Sequence, residues 1–224
     1  MRRHLLMIAL AGLVATPVLA KKQELPDVTE EGLVRIPDSE LAVVYADPDA
    51  NLTPYTKVHI LDTYVAFKKN WVREQNRSGG RIKVTNKDME KMKVEMAEEF
   101  TTVFTEVLEE NDGYPVVDHG GEDVLLVRPA IIDLNPIAPD TMRADSGYTF
   151  SESAGDATLY IEIYDSVTGD LLAKGLDKRY DRQAGYMQWQ TSVSNKQAAR
   201  RILKGWAQVL RDALDEAHKL DGSQ

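Results

Sequence analysis

The sequence predicts an α+β domain: a mostly antiparallel sheet of about five strands with two long helices packed on it. Three observations carry this. Two stretches, 86–111 and 195–220, repeat apolar residues at the 3-4 spacing of a helix with one buried face. Residues 157–164 alternate apolar and polar side chains, and a Ser166-Val167-Thr168-Gly169 turn leads into a returning partner. The order of elements is strand, helix, two strands, hairpin, helix.

The first twenty residues read as an export signal. Arg2 and Arg3 supply a positive start, 5–14 are apolar but for Gly12, and Val18-Leu19-Ala20 is the small-residue pattern that precedes cleavage after Ala20. The apolar run is shorter than the roughly 20 residues of a permanent membrane helix, and no second run of that length follows. The expected location is a bacterial periplasm. Cleavage would remove two arginines and no acid, moving the net charge from −9 to −11, and the chain has no cysteine. It therefore forms no disulfide even where disulfides are possible, and it offers no Cys for lipid attachment. An acidic exported chain makes nucleic acid a poor partner.

Residues 21–55 form an acidic arm, with eight acids, three cations and Pro26, Pro37, Pro48 and Pro54. The prolines forbid a long helix. The arm either extends along the domain edge through Val43, Val44 and Tyr45 or remains a disordered linker. Residues 56–220 make one domain, and 221–224 a short tail. Within 57–67, Val58 and Ile60 share one parity and Val65 and Phe67 the other, so a bulge or break is expected near Asp62-Thr63.

The first long helix should start at a capping box made by Thr85 and Asp88 and stop near Gly113. Its inward face is Met89, Met92, Met96, Phe100, Val103, Phe104 and Val107. A methionine stripe suits either a binding groove or an irregular core, and core is the commoner use. The run 124–134 is apolar on both parities, as in a strand covered on both faces, with Pro129 bending it. Residues 140–155 read as a long polar loop, of the kind that is functional or mobile. The last helix should be capped by Ser194 with Gln197 and bury Ala199, Ile202, Leu203, Trp206, Val209, Leu210, Ala213 and Ala217.

Familiar catalytic patterns are missing. There is no Cys nucleophile and no G-x-S-x-G elbow. His59 lies in a strand and His218 near a helix C-terminus, where a cation suits the dipole. His119, in VVDHGGEDV, sits beside Asp118, Glu122 and Asp123 and makes the most metal-like arrangement, but a solvated Gly-Gly turn explains it as well. No catalytic residue, metal site or cofactor is assigned.

The segments GLVRIPDSELAVVYADPDANLTPYTKV, VAFKKNW, GYPVVD, VLLVRPAI, ESAGDATLYIEIYDSVTGDLLA and ARRILKGWA occur in that order. Together they resemble a bacterial envelope family known only as a domain of unknown function, many of whose members are described as lipoproteins. The resemblance spans 32–217 and implies an envelope protein without an assigned activity; this chain departs from the lipoprotein members by lacking the lipidated Cys.

One segment stands out by charge. From 68 to 87 there are seven cations and one acid, Glu74, and the stretch shows no helical amphipathicity. Lys196, Arg200, Arg201 and Lys204 form a second basic cluster at the start of the last helix, where cations oppose the dipole. The plain explanation is charge balance against Glu90, Glu95, Glu98 and Glu99 of the first helix. The sharper one is an anionic envelope component or an acidic protein, with Lys69, Asn70, Trp71 and Arg73 as the contact patch. The expected function is a non-enzymatic binding or assembly factor of the cell envelope. The alternatives are an envelope hydrolase using acids of the 140–155 loop or near His119, and a structural subunit of an envelope complex.

Overall fold

The computed structural model describes residues 25–78, 83–136, 149–151, 153–182, 188–190 and 192–221. The expected export signal at 1–20 and residues 140–148 and 152 of the expected 140–155 loop lie outside them. Strands β1 (Val34–Ile36), β2 (Val43–Ala46), β3 (Lys57–Ile60) and β4 (Tyr64–Phe67) precede helices α1 (Trp71–Ser78) and α2 (Asn86–Glu109). Then come β5 (Val116–Val117), β6 (Val124–Pro136), β7 (Thr149–Ser151), β8 (Ser153–Asp165), β9 (Leu171–Arg182), β10 (Gln188–Gln190) and helix α3 (Ser192–Asp221).

The α+β class holds, but the sheet is larger than expected and mixed. Eight strands run in the order β1-β2-β9-β8-β6-β3-β5, with β4 also on β6. Neighbours from β1 to β6 are antiparallel, whereas β3 and β4 run parallel to β6, and β5 runs parallel to β3. The physical reason is the crossover: α2 carries the chain back to the end it started from, and a strand entered that way pairs in parallel. The arm adds β1 and β2 to the sheet edge, where Tyr45 donates its hydroxyl proton to Pro26 O at 2.8 Å.

The phase change in 57–67 appears as two strands. β3 pairs with Lys57↔Val124 through Ile60↔Val127, and β4 resumes with Tyr64↔Ala130. Breaking at 61–63 lets Val58 and Val65 both face the core despite opposite parity.

α2 begins as expected: Asp88 N donates to Thr85 Oγ1 at 3.3 Å and Thr85 N to Asp88 Oδ2 at 2.8 Å. Its end differs. Asn111 and Asp112 take the left-handed conformation, and Gly113 does not. A Cβ on Gly113 would instead overlap Leu108 O and Arg211 Nη1. α3 starts at Ser192, so Ser194 lies inside its first turn rather than before it. The tail of the expected 140–155 loop is strand: β7 pairs with β10, and β8 begins at Ser153.

Both long helices pack on one face of the sheet, α2 against β4 and β5, α3 against β8 and β9, and against each other. The core between them holds Val58, Phe100, Phe104, Leu108, Leu125, Ile131, Leu159, Leu203, Trp206 and Leu214, all nearly or fully inaccessible. A satellite core of Trp71, Val84 and Met92 sits beside it.

Candidate functional site

A cleft opens between α2 and α3, around residues 92–102 and 196–206, above the end of the sheet. This cleft encloses about 830 Å³. Its floor is Met92, Met96, Ile131, Leu134, Leu203 and Trp206, and its rim carries Glu95, Glu98, Glu99, Lys196 and Arg200. The methionine stripe therefore divides: Met89 and Met92 pack against Trp71 and Val84, while Met96 and part of Met92 face the cleft. The sequence marked these residues as apolar faces of two helices; what it did not show is that the faces part at this end.

Part of the rim charge is settled across the helices. Glu99 pairs with Lys196 at 3.2 Å and with Arg200, whose other arm reaches Glu106 at 2.6 Å. Interhelical charge balance thus operates, but through Glu99 and Glu106. Glu90 and Glu95 turn instead to Lys93 and Lys91 of their own helix. Glu99 is nearly enclosed, whereas Lys196 keeps 69% of its side chain exposed.

Under the cleft, Trp206 is fixed by a buried carboxylate. Asp177 of β9 accepts from Trp206 Nε1 at 2.7 Å, Arg179 Nε at 2.9 Å and Ala42 N at 3.2 Å. The Arg179 guanidinium lies 5.9 Å from the Trp206 ring and so close to the α3 backbone that a Cβ on Gly205 would overlap its Nη1. This accounts for glycine in the middle of a long helix within ARRILKGWA.

The opposite sheet face carries a polar-aromatic cluster that sequence reading missed. Glu162 of β8, 7% exposed, accepts from Tyr160 Oη at 2.6 Å, Tyr164 Oη at 2.9 Å and Arg128 Nε at 2.5 Å. Burial pushes the Glu162 carboxyl up, but the hydrogen bonds from the tyrosines and Arg128 outweigh it and hold the carboxyl below the usual range. Burial and the carboxylate together raise both phenols. The visible signal was parity: Tyr160, Glu162 and Tyr164 share one face of a clean alternation, opposite Leu159, Ile161 and Ile163.

The basic patch is divided by the fold. α1 is a true amphipathic helix of two turns, contrary to the reading of 68–87 as lacking such character. Asn70 adopts φ 65° at the turn before it. Trp71, 1% exposed, stacks on Phe67 with centroids 4.5 Å apart and donates its Nε1 proton to Pro136 O at 3.1 Å. Lys69, Asn70 and Arg73 are exposed beside it. In VVDHGGEDV the groups diverge: His119 lies 3.0 Å from Asp118, while Asp123 pairs with Lys57 at 2.8 Å. Among the described residues no three His, Asp or Glu side chains gather as a metal site would require, and no helix there is long and apolar enough to cross a membrane.

Fold and cleft together define an α+β protein with an eight-stranded mixed sheet, both long helices on one of its faces and an apolar opening between them. The chain belongs to DUF3313, a family of proteins of unknown function, whose profile matches residues 31–210. No curated protein matches the sequence. Solved structures similar to the chain include a PelC dodecamer from Paraburkholderia phytofirmans, at 9% identity, TM-score 0.38 and coverage of 75% of this chain and 96% of that one. A DUF330 protein from Xanthomonas campestris is similar at 10% identity and TM-score 0.38, covering 80% and 94% of the two chains.

Proposed function

We propose that the protein is an exported, periplasmic binding or assembly factor of the bacterial cell envelope that acts without catalysing a reaction, and that the α2–α3 cleft holds its ligand. The observation that carries this reading is an apolar cleft of about 830 Å³, within the roughly 300–1,000 Å³ of small-molecule sites, bordered by the charged side chains of Glu95, Glu98, Glu99, Lys196 and Arg200. An apolar floor draws ligand surface out of water, and the charged rim fixes its orientation. The export pattern at residues 1–20 and the envelope family that the motifs resemble supply the compartment. Lys69, Asn70 and Arg73, at the other side of the satellite core, are a second contact surface in this proposal, with Trp71 serving as its buried support.

The test is native mass spectrometry of the protein purified from its own envelope. Wild type should carry a bound molecule that Ala199→Trp, which fills the cleft from α3, has lost. A Lys69→Glu, Arg73→Glu variant should keep that molecule. Wild type that arrives bare, or Ala199→Trp that retains the same adduct, contradicts the proposal.

A further inference from the structure

We infer that the cleft takes a compact organic cation, an aromatic body bearing one protonated amine, with its ammonium against Glu98 at the mouth. The inference rests on the cleft being the binding site and adds the charge and kind of its occupant.

The mouth is acidic. Among the charged residues that line the cleft, Glu95, Glu98, Glu99 and Asp156 stand against Lys196 and Arg200. Both cations are drawn to Glu99, Lys196 at 3.2 Å and Arg200 through one arm while its other arm reaches Glu106. Asp156 is met by Lys178 at 3.0 Å and by Asn135 Nδ2 at 2.7 Å. Glu95 is loosely held by Lys91 at 3.5 Å and keeps 50% of its side chain exposed. Glu98 is exposed and has no ion-pair partner among the described residues. It is the carboxylate left over, and Glu95 stands one turn before it on the same side of α2. An ammonium supplies the missing charge, whereas an anion meets two carboxylates. The chain's net charge of −9 draws cations toward the molecule as well.

The hollow behind the mouth fits the remainder of such a ligand. Met92, Met96, Leu134, Leu203 and Trp206 give it an apolar lining, which takes an apolar body out of water. The two thioethers make favourable contacts with aromatic rings and adapt to their shape. A body seated there also displaces solvent that would otherwise screen the ammonium from Glu98. The Glu99–Lys196 and Glu99–Arg200 pairs tie α2 to α3 across the groove, within the stretch that lines the cleft. A polypeptide laid along the groove has to break them, and a compact molecule does not.

The experiment is isothermal titration calorimetry at low salt with three ligands that share one naphthalene body: naphthylmethylamine, naphthylmethanol and naphthoate. A capped leucine-lysine-leucine tripeptide is the fourth. Wild type should bind the amine most tightly, the alcohol less well and the carboxylate least. Glu98→Gln, an exposed change that leaves the hollow intact, should weaken the amine severalfold and the alcohol far less. Raising salt to about 0.5 M should do the same to wild type. Ala199→Trp should abolish binding of all three. An amine no tighter than the alcohol, or one indifferent to Glu98→Gln, overturns the cation inference, while loss of the alcohol in Ala199→Trp leaves the cleft standing. A tripeptide that binds more tightly than the amine overturns the compact occupant in favour of a polypeptide side chain. Alcohol binding that ignores Ala199→Trp, or wild type that binds no naphthalene, overturns the cleft itself.

Discussion

Gly205 offers a sharp test of how α3 is seated on the sheet. Glycine inside a helix costs about 1 kcal/mol relative to alanine, so Gly205→Ala would ordinarily stabilise. Here the added methyl overlaps Arg179 Nη1, and the guanidinium must leave. It then gives up its 2.9 Å contact with Asp177, whose side chain is only 10% exposed. Asp177 keeps the Trp206 and Ala42 donors, so the loss is that of one charge-assisted hydrogen bond, about 1.5–3 kcal/mol before allowance for the partial exposure of Arg179. Helix propensity returns about 1 kcal/mol, leaving Gly205→Ala neutral to destabilising by about 1 kcal/mol. In an Arg179→Ala background the obstacle is gone, and the same substitution should stabilise by about 1 kcal/mol. The sign reversal, a coupling of about 1–2 kcal/mol, is measured by urea denaturation of the four proteins in the cycle. Equal stabilisation in both backgrounds would refute the reasoning, because the guanidinium would then not be packed against Gly205.

Arg211 is a second seat. It donates through Nη1 to Val107, Leu108 and Glu110 carbonyls at 2.9–3.2 Å and through Nε to Asp215 at 3.1 Å, closing the C-terminus of α2. Arg211→Met should cost about 3 kcal/mol and lower Tm by roughly 6–12 °C in a scanning calorimeter, and Arg211→Lys about half that. Glu162 has a folded pKa below its unfolded value, so its contribution is present above about pH 4.3 and is lost as pH falls through the folded pKa. Glu162→Gln should cost about 1 kcal/mol at neutral pH and flatten the acid limb of a stability–pH curve; an unchanged acid limb would count against the role given to Glu162. Asn70 is left-handed at φ 65°, so Asn70→Ala should destabilise by about 1 kcal/mol and Asn70→Gly should not, as chemical denaturation would show.

The helices were legible because their periodicity and the Thr85–Asp88 box are local. So was the broken strand at 61–63, since a parity change is visible in four residues. Sheet composition was not local. Whether β3 pairs in parallel with β6 depends on where α2 returns the chain, and whether Val43–Ala46 is an arm or a strand depends on an edge of β9 some 130 residues on. α1 was missed because only Trp71 and Val72 anchor it and the other six of its eight residues are polar. Of the cleft, the sequence identified Met96, Leu203 and Trp206 as inward-facing, but two apolar stripes look the same whether they close on each other or part. Gly113 and Gly205 illustrate the same limit: each is glycine because an arginine far along the chain approaches its backbone.

The central claim, that the protein binds its ligand between α2 and α3, is tested most directly by methyl NMR of the methionines as anilinonaphthalene sulfonate is added. The account predicts that Met96 and Met92 shift first and furthest, in step with the rise in dye fluorescence. Shifts elsewhere in the molecule while Met92 and Met96 stay fixed would contradict it.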